Sequence, residues 1–278
     1  MLHRLMLVLA TVAAVVLVAG PAAAAGPHRI VSLSPTATES LFAIGAGKQV
    51  VAVDDQSDYP KRAPKTTLSG FTPNVEAIAA FHPDLVVVQY DSGGVVESLR
   101  KLDIRVLVQP SAKNLAVAYA QIKQLGVITG HKKPASALVT RMKRAIAKAV
   151  KSTPRKPRTV YHELSPDYYS ATSKTFIGGI YKLFGLRNVA DAADSSGSGG
   201  YPQLSAEYIL SANPGLIVLA DTHCCGQSVA SVSSRVGWSN IAAVRTHSVV
   251  AVDDSVASRW GPRVVQFVQT IAKVLRRR

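Results

Sequence analysis

The chain of 278 residues contains only two cysteines, and they are neighbours, Cys224 and Cys225. Adjacent cysteines cannot join distant segments, so a small fold held together by a disulfide framework is excluded. A glycine-rich phosphate-binding loop and a Gly-x-Ser-x-Gly nucleophile elbow are missing from the sequence, and no loop is rich in histidine. We therefore predict no catalytic residue, and a chelatase-like enzyme is kept only as an alternative.

Acidic residues are also scarce, with 17 Asp and Glu against 32 Lys and Arg and a formal net charge of +15. A basic excess of this size favours nucleic acid, anionic lipid or an anionic small ligand as partner. Much of it, however, falls within residues 132–158 and in the terminal residues 276–278. We interpret it as a solvated helix face and predict no nucleic-acid partner.

The longest apolar run, residues 5–18, follows His3 and Arg4 and leads into a stretch of small residues, 22–25. This pattern predicts a secretory signal peptide over residues 1–25, with the mature chain beginning near Gly26. The run is short for a spanning helix, although an uncleaved signal anchor is the alternative. Because no lipid-attachment cysteine follows the run, we expect a free periplasmic or otherwise secreted protein.

An internal repeat divides the chain. Residues 74–90 match residues 205–221, so that Glu76 pairs with Glu207 and Pro83 with Pro214. Two copies are too few for a solenoid, and they indicate two lobes of similar build.

Each lobe alternates short β-branched runs with helical periods, a pattern typical of parallel strands covered by helices. The strands are predicted at 29–33, 49–53, 85–89, 105–108, 159–163, 188–190, 216–220 and 248–252. Helices are predicted to begin near 36, 74 and 94 and to cover 175–184, 205–211, 233–244 and 262–277. Between the lobes, Leu138, Met142, Ile146 and Val150 recur at every fourth residue, which predicts one long helix.

The predicted fold is therefore α/β, with two Rossmann-like lobes of mainly parallel sheet and a ligand cleft between them. The N-terminal lobe covers residues 26–130, the interlobe helix 131–153 and the C-terminal lobe 154–278. A helix packed along both lobes permits only a small hinge motion. Ligands of parallel sheets bind beyond the carboxyl ends of the strands, so the loops at those ends are expected to line the cleft.

Several motifs of this chain resemble the periplasmic vitamin B12 and ferric-siderophore binding proteins; they are RIVSLSPTATE at 29–39, SDYP at 57–60, NVEAI at 74–78, PDLVV at 83–87, YPQLSAE at 201–207 and GPR at 261–263. The resemblance covers nearly all of the chain after residue 27. It implies two lobes bridged by a long helix and, as function, capture of a metal chelate for an ABC importer. The ligand class, corrinoid, siderophore or haem, stays open, and so does a haem- or metal-ion-binding surface protein that works without an importer. We expect a monomer without a resident cofactor, because the metal would arrive within the ligand.

The resemblance also implies roles for single residues. Glu76 and Glu207 would dock on the importer's membrane subunits, although a carboxylate in the first turn of a helix can simply complement the helix dipole. The predicted ligand-binding residues are Tyr59, Phe71, Tyr90, Tyr201 and Arg259. The cobalamin binders commonly carry tryptophans where this chain has tyrosines.

Arg259 could grip an anionic group of the ligand or, alternatively, pair with nearby Asp253 or Asp254. The segment His223, Cys224 and Cys225 has two interpretations as well. It could ligate a metal, an option that His162 and Glu163 favour slightly, or the two cysteines could form a disulfide that stiffens the edge of the cleft.

Overall fold

The computed structural model describes residues 26–156, 158–195 and 197–277. The predicted signal peptide lies outside the described residues. Within them, no helix is both long enough and apolar enough to cross a membrane.

The N-terminal lobe is a four-stranded parallel sheet with the strand order β2-β1-β3-β4. Its strands are β1 (Ile30–Leu33), β2 (Val50–Val53), β3 (Leu85–Val88) and β4 (Arg105–Val108). Its helices are α1 (Pro35–Ala43), α2 (Val75–Ala79), α3 (Val95–Arg100) and α4 (Leu115–Ile128). Strands β1 and β3 are buried along their whole length, as expected for central strands covered by helices on both faces.

The C-terminal lobe repeats this order as β6-β5-β7-β8, again parallel throughout. Its strands are β5 (Thr159–Glu163), β6 (Arg187–Asn188), β7 (Leu216–Leu219) and β8 (Val249–Ala251). Its helices are α6 (Phe176–Leu183), α7 (Ala206–Ala212), α8 (Thr222–Cys225), α9 (Val229–Ser233), α10 (Ala242–Arg245), α11 (Asp254–Ser258) and α12 (Val264–Arg276). The predicted fold class is confirmed by these two sheets.

Short polar side chains begin the helices that follow the strands. Ser34, Asn74 and Asn114 accept a hydrogen bond from the backbone N–H three residues on, and Thr175 and Ser205 do the same in the second lobe. Each satisfies one of the N–H groups that a helix leaves free at its start, which fixes where the chain turns from strand to helix.

The interlobe helix is α5 (Lys132–Lys151), and it packs against α4 of the first lobe and α12 of the second. Its buried side chains Leu138, Met142 and Ile146 belong to one apolar cluster that also includes Leu41 of the first lobe and Phe267 of the second. The two lobes therefore share a continuous core that runs through the helix.

One helical prediction is wrong, and the structure also contains a long helix that was not predicted. The single helix expected over 233–244 is wrong, because Gly237 takes a φ of 79° and separates α9 from a short 3-10 turn and α10. A left-handed residue of this kind ends the regular hydrogen-bond ladder of a helix. Helix α4, the partner of α5 in the first lobe, is present in the structure without having been predicted.

Candidate ligand-binding site

A pocket of about 270 Å³ opens between the lobes beside the carboxyl ends of β1, β2 and β3. Most of its wall comes from the N-terminal lobe, and one segment between α11 and α12 closes it from the other side. The lining residues are Leu33, Pro35, Thr36, Asp54, Gln56, Gly70, Phe71, Gln89, Tyr90, Ser258, Arg259 and Trp260. Three of the predicted ligand-binding residues, Phe71, Tyr90 and Arg259, thus meet in one place.

Phe71 and Tyr90 form an aromatic pair at this pocket, with ring centroids 6.4 Å apart and planes inclined by 50°. Both rings are poorly covered by protein, since Phe71 is 64% and Tyr90 38% exposed. Exposed rings held side by side offer apolar area and π-faces to a flat ligand, and little conformational entropy is lost when they are covered.

Arg259 reaches across to the N-terminal lobe. Its Nη1 lies 3.1 Å from Glu39 Oε1 and 2.7 Å from Asp58 Oδ1, and its Nη2 donates to the carbonyl of Gln56 at 2.9 Å. Arg263 donates to both oxygens of the same buried Glu39. We call Glu39, Asp58, Arg259 and Arg263 the cross-lobe ion cluster.

The alternative in which Arg259 pairs with its own loop is wrong. Asp253 instead caps α11 by accepting the N–H of Val256, and Asp254 accepts N–H bonds from residues 222–224. Burial works to raise the pKa of Asp58, but the hydrogen bond and the charge of Arg259 outweigh it, and that pKa lies below its ordinary value.

Asp54, which follows β2, lines the same pocket and is 2% exposed. Burial raises the pKa of its carboxyl to about 6; Asp55 adds to this shift, whereas Ser57 and Arg259 oppose it. Asp54 was not predicted as a site residue, although its position at a strand end pointed to the cleft.

Tyr59 and Tyr201 stand apart from this pocket. Tyr59 lies beneath the guanidinium of Arg263, 4.3 Å from ring centroid to Cζ, and borders a neighbouring hollow. Tyr201 belongs to the C-terminal lobe, where it is as exposed as Tyr169 on an adjacent extended segment. Neither tyrosine lines the pocket that holds Arg259, and their ligand contacts stay predictions. Tyr169 was missed, although it lies in a strand-end loop as Tyr201 does.

Cys224 and Cys225 form a disulfide within α8. The carboxylate of Asp254 fixes this exposed helix by accepting the N–H groups of Thr222, His223 and Cys224. With both thiols in the disulfide, the structural interpretation agrees with the structure. Across the described residues, no group of three or more His, Cys, Asp or Glu side chains is arranged to hold a metal ion.

His162 and Glu163 of β5 have hydrogen-bond partners other than the cysteines. His162 is fully buried, its Nδ1 lies 2.6 Å from the Tyr181 hydroxyl, and burial lowers its pKa to about 3. Glu163 receives both Nη groups of Arg235 at 2.7 Å, and the Tyr161 hydroxyl also donates to it. These contacts all lie within the C-terminal lobe.

Glu76 and Glu207 occupy equivalent places, each exposed in the first turn of its helix, α2 or α7. Hydrogen bonds from the backbone N–H of Glu207 and from the Ser205 side chain lower the pKa of the Glu207 carboxyl, so it is ionised at neutral pH. At these equivalent positions, each lobe thus presents a carboxylate to solvent.

The sequence of this chain is similar to those of known binding proteins. A family model described as periplasmic binding protein matches residues 30–256. An uncharacterised ABC transporter substrate-binding lipoprotein of Bacillus subtilis is 33% identical, with 89% of this chain and 79% of that protein covered. A cobalamin-binding protein of Halobacterium salinarum is 32% identical, with 88% and 69% covered.

Among solved structures, the periplasmic haem-binding protein HutB of Vibrio cholerae superposes with a TM-score of 0.79 over 89% of this chain and 98% of its own, at 24% identity. That likeness confirms the fold, while the sequence relatives and the family model confirm the resemblance drawn from the motifs. The chain therefore belongs to the periplasmic binding protein family.

Proposed function

We propose that this protein captures a corrinoid of the vitamin B12 class outside the cytoplasm and delivers it to the membrane permease of an ABC importer. The observation that carries the proposal is the pocket between the lobes, where an exposed aromatic pair adjoins a polar, charge-balanced wall. A corrinoid is larger than this pocket, so the pocket takes one edge of the ligand while the open aromatic faces of the cleft cover its ring.

The charges at the pocket favour a corrinoid over a strongly anionic chelate. Arg259 already donates to Glu39, Asp58 and the Gln56 carbonyl, and Asp54 adds another acid to the wall. A ferric siderophore with several ionised oxygens would have to compete with Glu39 and Asp58 for the guanidinium of Arg259. A corrinoid presents neutral side-chain amides instead, and the relative from Halobacterium salinarum is named a cobalamin-binding protein.

Haem is the second candidate, and a specific observation favours it: exposed tyrosines, Tyr90 in one lobe and Tyr201 in the other, each carry a phenol oxygen of the kind that can ligate haem iron. The Vibrio cholerae structure is of a haem-binding protein. The two candidates differ in how they use the tyrosines, as a stacking surface for a corrinoid and as an iron ligand for haem.

Titration of purified residues 26–278 with cyanocobalamin, haemin and a ferric catecholate siderophore tests the ligand class. We expect heat of binding and a dissociation constant at or below the micromolar range for cyanocobalamin. Haemin should give no iron–tyrosinate absorption band. Such a band, together with tighter binding of haemin than of cyanocobalamin, would establish the haem function instead.

Delivery depends on the carboxylates of Glu76 and Glu207, which would meet basic residues of the permease. The protein acts as a monomer, without a catalytic step, a resident cofactor or a nucleic-acid partner. The relative from Bacillus subtilis is named a lipoprotein, whereas we propose that this chain is released by cleavage near Ala25.

Charge reversal tests the docking assignment. Glu76→Arg combined with Glu207→Arg should abolish uptake of the ligand by cells that express the importer, while ligand affinity changes less than about twofold, since surface substitutions seldom perturb a distant site. Glu97→Arg, an exposed reversal on α3, is the matched control and should leave uptake intact. Parallel loss of affinity and uptake in the double variant would move these residues into the ligand site.

A further inference from the structure

Asp54 lies at the carboxyl end of β2, and its Oδ1 is buried without a hydrogen-bond partner among the described residues. The same is true of Asp55 Oδ1, but Asp55 does not line the pocket. Buried polar atoms are nearly always paired, because an unpaired one costs free energy that folding does not recover. Since Asp54 also lines the pocket, its missing partner is expected to come from whatever enters the pocket.

The surroundings hold the carboxylate in place. On one side, the backbone at Gly70 comes so close that a Cβ there would lie 2.9 Å from Asp54 Oδ2 and 2.8 Å from the carbonyl oxygen of Leu33. Gly70 itself lines the pocket. A side chain at residue 70 would therefore clash with Asp54 Oδ2 and the Leu33 carbonyl, and glycine lets the carboxylate keep this position beside the pocket.

The cation of the pocket does not pair with Asp54. Arg259 donates to Glu39, Asp58 and the carbonyl of Gln56, all in the cross-lobe ion cluster or beside it. Among the described residues, Asp54 thus has an acceptor oxygen without a donor, and the one arginine in the pocket wall, Arg259, is already paired with other acids. The burial that raises its pKa also strengthens any hydrogen bond it accepts, because the local dielectric is low.

A side-chain carboxamide of the ligand is the group that fits this acceptor. Its N–H donates to an ionised carboxylate, and it carries no charge that the pocket must neutralise. A ligand carboxylate at the same position would meet Asp54 as a like charge, with no free arginine donor provided by the contacts described. Sites built for a hydrogen-bond donor reject analogues that lack one, because the buried acceptor is then left unpaired.

We propose that Asp54 is a specificity-determining residue that accepts a hydrogen bond from a side-chain amide of the bound corrinoid and excludes a carboxylate from that position. This inference rests on the proposed function and deepens it. It distinguishes amide-bearing corrinoids from macrocycles whose side chains end in carboxylates.

The test uses cyanocobalamin and its monocarboxylic acid derivatives, each with one side-chain amide hydrolysed, titrated calorimetrically at pH 7.5 into three proteins. Wild type should bind one derivative at least about tenfold more weakly than cyanocobalamin, the loss expected for one charge-assisted hydrogen bond. In Asp54→Asn that ratio should fall to about one, because asparagine can donate to the carboxylate. The adjacent acid gives the matched control: Asp55→Asn lies outside the pocket lining and should keep the wild-type ratio.

The role of Asp54 can fail while the corrinoid function stands. If wild type binds cyanocobalamin and the Asp54→Asn protein, with an intact melting transition, discriminates among the derivatives as wild type does, the role of Asp54 is refuted and the corrinoid function stands. If wild type binds no cyanocobalamin, both fall together. Asp54→Ser, which is smaller and neutral, repeats the measurement should the asparagine variant fail to fold.

Discussion

At the scale of single residues, some buried acids of this protein are paired with an arginine and others are not. Glu39 and Glu163 each receive two hydrogen bonds from an arginine, Arg263 and Arg235 respectively. Asp54 receives none from an arginine among the described residues. A buried carboxylate that is ionised without a paired cation lowers the stability of the fold.

Asp54→Asn should therefore raise stability at neutral pH. The folded pKa of Asp54, about 6, lies above the ordinary 3.8, so the native state binds more protons than the unfolded state between those values. The stability that protonated Asp54 contributes to the folded state is present in full below about pH 4 and is lost as the pH rises through 6. At pH 7.5 the variant should gain up to about 3 kcal/mol in urea unfolding, and the gain should vanish near pH 4.

The opposite sign is expected at Asp58, whose pKa lies below its ordinary value because of Arg259. Asp58→Asn should lose stability at neutral pH and match wild type in acid. Equal pH profiles for the two variants would show that these electrostatic assignments are mistaken.

Removal of an arginine that holds a buried acid should be severe. Arg235→Met leaves Glu163 buried without its cation, which typically costs about 3 to 5 kcal/mol. Arg245→Met, at an exposed arginine of the same lobe, should change the free energy of unfolding by less than about 0.5 kcal/mol. Adding Glu163→Gln to the first variant should restore part of the loss, and failure to do so would contradict the charge argument.

At the scale of elements, the sequence predicted best where one local pattern decides the outcome. The strands fall within one or two residues of their predicted positions, because short β-branched runs bounded by turns have few other structures available. The region 228–245 was mispredicted because it needs tertiary information: α9 and α10 are each only four or five residues long and are fixed by packing around the buried Trp238.

The site shows the same division. The strand-end rule and the resemblance together indicated the pocket that Phe71, Tyr90 and Arg259 share. The partner of Arg259 could not be predicted from spacing, since Glu39 is 220 residues away in the sequence and in the other lobe. Both Glu39 and Arg263 end motifs that carried the resemblance, yet their contact emerges only from the folded chain.

Helix α6 offers a sharp test of packing through two neighbouring glycines. A Cβ on Gly178 would lie 2.1 Å from the carbonyl oxygen of Thr172, whereas a Cβ on Gly179 would meet nothing within 4 Å. Gly178→Ala should cost at least about 1 to 3 kcal/mol through the backbone shift that it forces. Gly179→Ala should stabilise by up to about 1 kcal/mol, because alanine favours the helix. Thermal unfolding of the pair checks both signs.

At the scale of the whole molecule, the shared core predicts that the lobes unfold together. Met142 of α5 is buried in the cluster that spans both lobes. Met142→Ala should cost about 2 to 5 kcal/mol and still give one calorimetric transition, because both lobes lose the same contacts. Arg144→Ala, on the exposed face of α5, is the control and should be nearly neutral. Two resolved transitions in the first variant would show that the lobes are independent.

The cross-lobe ion cluster also bears on how fast a cell can import its ligand. Because α5 packs against both lobes and this cluster joins them, we expect the separation of the Glu76 and Glu207 carboxylates to change little when the cleft is filled. If the importer docks on these two carboxylates, as proposed, empty and loaded copies compete for it on nearly equal terms. Uptake is then expected to pass through a maximum as expression of the binding protein rises, and to decline once empty copies outnumber the available ligand.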